Sequence, residues 1–185
     1  VSIDEFIYHF WLAKNDFTKA RDIFHVAKKF ILTKAAAKKT LDELEKYSGL
    51  YRDLYRSNFR KWRNDETKIR MSIEVIVNRF RVRQPLPLML TALFKYEAKS
   101  LAKGEIERLF SAIELFTFTN TGLMSTRSSG GVLQMYTLHA RALHSSKAAT
   151  RREVTIDTLI AKLRSRLPAK NVFIERFSSL RYSDK

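Results

Sequence analysis

Cysteine is absent from this 185-residue chain, which excludes disulfide stapling and thiolate chemistry together. Turn formers are scarce too, with five Gly and three Pro. A many-stranded sandwich or barrel needs a turn roughly every ten residues, so that class of fold is disfavoured. No apolar run reaches the ~18 residues of a membrane-spanning helix, and the first residues lack the basic-then-apolar order of a signal peptide. The expectation is a cytoplasmic chain with no membrane partner. Acidic residues are the third shortage: 19 Asp and Glu stand against 35 Lys and Arg, a net charge of +16. Such an excess points to a polyanionic partner, because neutralising phosphates releases their counterions.

What is present reads as helix almost throughout. Ser2 and Glu5 have capping-box spacing ahead of a helix to about Lys14. Ile23, Phe24, Ala27 and Phe30 share one side of a second helix, and Leu41, Leu44, Tyr47, Tyr51 and Leu54 form the seam of a long third one. Asp65 is an acceptable N-cap for a helix whose stripe is Ile69, Ile73, Ile76, Val77 and Phe80. After Pro85, the run Leu88, Met89, Leu90, Leu93 and Phe94 is apolar on nearly all sides, which predicts a buried central helix.

Ile106, Leu109, Phe110, Ile113 and Phe116 make the next stripe, and residues 119–131 read as the one real loop. Helices from about Val132 to Leu143, around Ile156–Leu167, and after Pro168 complete the chain. The fold class is all-α: roughly nine helices in an irregular bundle, without a sheet. One domain over 1–185, or two packed subdomains at 1–100 and 101–185, both fit the pattern.

Motifs for chemistry are thin. His9, His25, His139 and His144 stand in no recognised ligand spacing, and no G-x-S-x-G elbow occurs. No catalytic residue, metal or cofactor is assigned. Three features remain. Arg52, Arg56, Arg60 and Arg63 are spaced four, four and three, a single helix stripe if the helix continues through Asn58. With Lys61, and with Tyr55, Phe59 and Trp62 alongside, they give the basic-plus-aromatic mixture of nucleic-acid surfaces. Solvated arginines over core aromatics are the plainer alternative. In Arg79-Phe80-Arg81-Val82-Arg83, Phe80 should face inward and the arginines outward or into ion pairs. The third is "STRSSGG" at 125–131, with Arg127, where amides ahead of a helix could hold a phosphate, although a plain flexible loop is the commoner meaning.

The run "FIYHFWLAKNDFTKARDIFHVAKKFI" resembles the start of the helical region in the GmrSD-like type IV, modification-dependent restriction endonucleases. His9, Phe10, Trp11, Ile23, Phe24, Lys28 and Lys29 carry the likeness. Leu41 to Tyr55, Gln84 to Phe94, Ile113 to Phe118, and the closing Phe173 and Phe177 are similar to later family segments in the same order. Most of the matched positions are apolar. Where the family often has Arg after its Phe-x-Phe, this chain has Thr119, and the nearest downstream Arg is Arg127.

The resemblance implies a fragment of a modular DNA endonuclease with nucleotide hydrolysis. A ParB-like nucleotide-handling domain would precede it and an HNH-type nuclease domain would follow. The signatures of neither domain occur in these residues, so no catalytic residue carries over. The expected role is a non-catalytic helical region of a phage-defence protein that positions enzymatic domains and offers basic surface to DNA without sequence specificity. The expected DNA-facing residues are Arg52, Arg56, Arg60, Lys61 and Arg63, with Arg127 second. The alternative is a docking module without nucleic-acid contact, using Phe10, Trp11 and Phe17 if these are exposed. A helical enzyme acting on an anionic small molecule would require convergent polar groups near 125–131.

Overall fold

The computed structural model describes residues 2–125 and 130–181, and all regular structure among them is helical. The helices are α1 (Ile3–Lys14), α2 (Ile23–Phe30), α3 (Lys34–Tyr55), α4 (Thr67–Ile73), α5 (Leu86–Glu97), α6 (Lys103–Thr117), α7 (Gly130–Ser145), α8 (Ala149–Arg164) and α9 (Lys170–Ser178). The all-α expectation holds.

Local chemistry sets the starts. Ser2 Oγ accepts from the Glu5 amide at 3.1 Å, and Thr33 does the same for Ala36 at 3.1 Å. The reciprocal half of the expected box at α1 is missing, because the Glu5 carboxylate accepts from the Tyr55 hydroxyl at 2.9 Å instead. Pro87 sits in the first turn of α5, where its missing N–H leaves no helical bond unmade.

Helix α5 is the hub. Every residue from Leu86 to Leu93 is buried, and the helix packs against α1, α3, α6 and α7. A helix that is apolar all round has to be enclosed on all sides. The Thr91 hydroxyl ties this hub to α1 by a bond of 2.7 Å to the Ala13 carbonyl. Around it, one buried cluster draws on every helix from α1 to α8 except α2. Tyr47 stacks on Phe94 at 4.6 Å and meets Phe10 edge-on at 5.2 Å. Trp11, Leu12 and Ile23 form a smaller cluster, with Phe17 packed against it.

Three sequence expectations need correction. Helix α3 stops at Tyr55, with Arg56 as its C-cap at φ −132° and ψ 71°, so Arg52, Arg56, Arg60 and Arg63 do not line one helix. The seam of α3 begins late: Leu41 is 65% exposed, while Tyr47 and Leu54 are fully buried. The expected loop from 119 begins instead as a wide π-helical continuation of α6 through Phe118–Leu123. A second π-helical segment, Glu74–Arg79, continues α4. The two meet where Phe80 packs edge-on against Phe118 at 6.3 Å. Gly122 lies beneath that contact, and a Cβ there would come within 2.9 Å of the Phe80 ring.

Candidate nucleic-acid interface

Since α3 ends early, residues 56–66 fold back as a compact corner, and the corner sorts its cations into two groups. Arg60 is tied down. Its guanidinium reaches Glu97 at 2.5 Å and Glu66 at 3.7 Å, and lies 4.3 Å over the Trp62 ring. Arg63 joins the same knot through Glu66 at 3.1 Å and Tyr96 at 2.6 Å, although much of its side chain stays exposed.

Glu66 is the anchor, 3% exposed, accepting from the Arg63 amide at 2.8 Å and the Tyr96 hydroxyl at 2.8 Å. Burial alone would push its carboxyl up, but those two donors and the charges of Arg60 and Arg63 outweigh it and hold the pKa below the usual range. Trp62 completes the corner by donating to the Ser57 carbonyl at 2.6 Å.

The other cations stay loose. Arg52 and Arg56 approach the ring of Phe59 at 6.0 and 5.4 Å, and that ring is 62% exposed. Arg52 has Asp53 as an ion-pair partner at 3.2 Å, and Lys61 is exposed. Beside them lies a polar notch of about 300 Å³ lined by Asn58, Arg63, Asn64, Thr67 and Arg70. Of the residues singled out in sequence, Arg52 and Arg56 therefore form a surface ridge with Phe59, and Lys61 is exposed two residues on. Arg63 forms its rim, and Arg60 faces inward. Arg127 lies outside the described residues.

Arg70 is a member of this surface that no sequence motif marks. Its position on the polar side of the Ile69–Ile73 stripe is the available signal, and only the fold-back brings it to Arg63. Glu66 leaves a clearer trace, three residues after Arg63 in the spacing of a helix-start carboxylate.

Of the three residues expected to serve docking, two are buried and one is half-buried. Phe10 is 5% and Trp11 8% exposed, and Phe17 is half-buried against the small cluster. Trp11 also donates to Thr18 at 3.1 Å, which pins the turn after α1. The exposed apolar side chains of this end are Phe24, Phe30, Leu32 and Leu41 instead.

His9 shows what the conspicuous His-Phe-Trp run does in this fold. It is 4% exposed, and its Nδ1 lies 2.7 Å from the Tyr51 hydroxyl. Tyr55 carries the network on to Glu5, with the Arg83 guanidinium 4.4 Å over the Tyr55 ring and 3.8 Å from Glu5. Burial, with Arg83 adding to it and Glu5 opposing, lowers the His9 pKa to about 4. The imidazole is therefore neutral, and because Tyr55 donates to Glu5 and Tyr51 to Tyr55, its Nδ1 carries the hydrogen shared with the Tyr51 oxygen. Arg83 also donates to the Val77 carbonyl at 2.9 Å, so one arginine of the 79–83 run is structural while Arg79 and Arg81 are exposed.

Among the described residues, no three His, Asp or Glu side chains are grouped to hold a metal, and no helix is long and apolar enough to cross a membrane. No protein-family model, curated protein or solved structure matches the chain.

Proposed function

We propose that this chain is the helical region of a GmrSD-like restriction protein, a non-catalytic part that positions enzymatic domains and presents basic surface to DNA. The family assignment rests on the ordered sequence likeness from His9 to Phe177. The DNA contact rests on one observation: Arg52 and Arg56 flank the exposed ring of Phe59, with the exposed Lys61 two residues on, in a chain carrying +16. Loose cations neutralise phosphates, and an exposed ring between them can stack on an unpaired or end base. Nothing in the arrangement reads base edges, so binding would depend on salt more than on sequence.

The test is binding of the intact chain to a fluorescent duplex, and to a single strand, across a salt series. Arg52→Ala/Arg56→Ala/Lys61→Ala should flatten the slope of log affinity against log salt by roughly one for each phosphate no longer neutralised. Phe59→Ala should weaken the single strand more than the duplex. An unchanged slope in the triple variant would remove the ridge from consideration.

A second reading has one observation of its own. Phe24, Phe30, Leu32 and Leu41 are each at least 65% exposed, and Phe30 lines a groove of about 470 Å³ between α1, α2 and α3. Exposed apolar side chains beside such a groove suit a partner surface. If docking is the role, Phe24→Ser/Leu32→Ser should abolish association with a co-expressed N-terminal domain while leaving the melting temperature in place.

A further inference from the structure

Along α7 the structure holds a second basic feature, and it is concave. A groove of about 570 Å³ runs along α7 from Gly131 to Arg141, walled by the end of α8 and by the turn Asn15–Phe17. Its volume falls within the ~300–1,000 Å³ of small-molecule sites. Three cations line it, Arg141, Lys162 and Arg166, against a single lining carboxylate, Asp16, which is ion-paired with Arg141. Lys162 and Arg166 enter no ion pair among the described residues.

Two further observations turn this from a charged surface into a site. Thr137 lines the groove at 1% exposure, and its Oγ1 makes no hydrogen bond among the described residues. A buried hydroxyl left unpaired is destabilising, and a ligand acceptor would relieve that cost. The groove also offers apolar contact through Phe17, Met135 and Leu138, the last 57% exposed. The turn carrying Phe17 is braced, with Asn15 Nδ2 donating to the Trp11 carbonyl at 3.1 Å and Thr18 held by Trp11. A site built on braced elements can discriminate among ligands, whereas a solvated patch of lysines cannot.

We infer that this groove binds a small phosphomonoester carrying an apolar or aromatic body. Arg166 and Lys162 take the phosphate, the Thr137 hydroxyl bonds to it or to the body's polar edge, and Phe17 and Leu138 flank the apolar part. Guanidinium and ammonium together match a dianionic phosphate in a way that neither matches a neutral ligand.

The experiment is calorimetric titration of the intact chain with adenosine 5′-monophosphate, adenosine and inorganic phosphate as probes. The monophosphate should bind at least about tenfold more tightly than either half alone. Lys162→Ala/Arg166→Ala should weaken it by about tenfold or more. Thr137→Val, which keeps shape and removes the hydroxyl, should weaken it severalfold without lowering the melting temperature. Arg52→Ala/Arg56→Ala should leave it unchanged, which separates this groove from the ridge. The inference is overturned if phosphate and monophosphate bind alike. It is equally overturned if Thr137→Val has no effect, or if the ridge variant rather than the groove variant abolishes binding.

Discussion

Arg52 and Arg60 lie close in sequence and carry the same charge, yet they do opposite things. Arg60 lies among Glu66, Glu97 and Trp62 with little solvent around it, whereas Arg52 is exposed beside the open ring of Phe59. The difference lies in the neighbours. A carboxylate that is itself buried, as Glu66 is, cannot stay charged without donors, and it draws in every cation within reach. Asp53 is buried too, but its one ion-pair partner among the described residues is Arg52, whose guanidinium stays largely exposed. A basic run in sequence therefore contains both enclosed and exposed cations, and the number of acids and rings around each decides which is which.

The sharpest way to break that comparison is to remove the anchor. Glu66→Gln keeps the shape of the side chain while leaving Arg60 and Arg63 one carboxylate short in a partly desolvated corner. Breaking one side of such a buried network costs about 3–5 kcal/mol. Chemical denaturation should show a loss of that order, far above the ±0.5 kcal/mol or so of ordinary surface changes. Tyr96→Phe removes one donor to the same carboxylate and should cost about 1 kcal/mol. If Glu66→Gln unfolds no more easily than the wild type, the knot is incidental and Arg60 returns to the pool of available cations.

The His9 network extends the comparison to a buried group held neutral. The folded-state pKa of about 4 lies below the ordinary 6.5, so the unfolded chain binds this proton more readily than the folded one. Its contribution is therefore complete above pH 6.5 and is lost as pH falls toward 4, at up to about 1.4 kcal/mol per pH unit. His144, also lowered to about 4 by burial and the nearby lysines, adds in the same direction. Stability measured between these limits should fall with acid, and His9→Gln should remove part of the slope while keeping a polar partner for Tyr51. An unaltered slope in that variant would place the acid sensitivity elsewhere.

How much of this is legible in the sequence follows from the range of the forces involved. Apolar periodicity is local, and it locates the buried stripe Ile69, Ile73, Ile76 and Val77 and the enclosed helix around Leu90. It does not show that α3 ends at Tyr55, because the ties that shape the fold-back reach Tyr96 and Glu97, more than thirty residues on. Phe10 and Trp11 stand out as docking candidates in a stretch unusually rich in aromatics, but their partners come from α2, α3 and α5. The groove along α7 is the least visible of all. Its three walls come from residues 15–17, 131–141 and 162–166, and no single window contains them.

The smallest expected change in stability belongs to the ridge itself, and it carries the other half of the comparison. Arg52, Arg56 and Lys61 are exposed, but Asp53 beside them is buried, and Arg52 is its one ion-pair partner among the described residues. Truncating Arg56 and Lys61 leaves no buried group unsatisfied, whereas truncating Arg52 leaves the Asp53 carboxylate without its donor. Arg56→Ala/Lys61→Ala should therefore melt within a few degrees of the wild type, a shift of about 1 kcal/mol or less, and adding Arg52→Ala should cost about 1–3 kcal/mol more. Lowering the net charge from +16 to +14 in the double variant also relieves self-repulsion, which works against even that small loss. A large drop in melting temperature of the double variant would mean that cations at 56–61 are structural on both sides of Phe59. In that case the loss of DNA affinity expected of the triple variant could no longer be assigned to a surface.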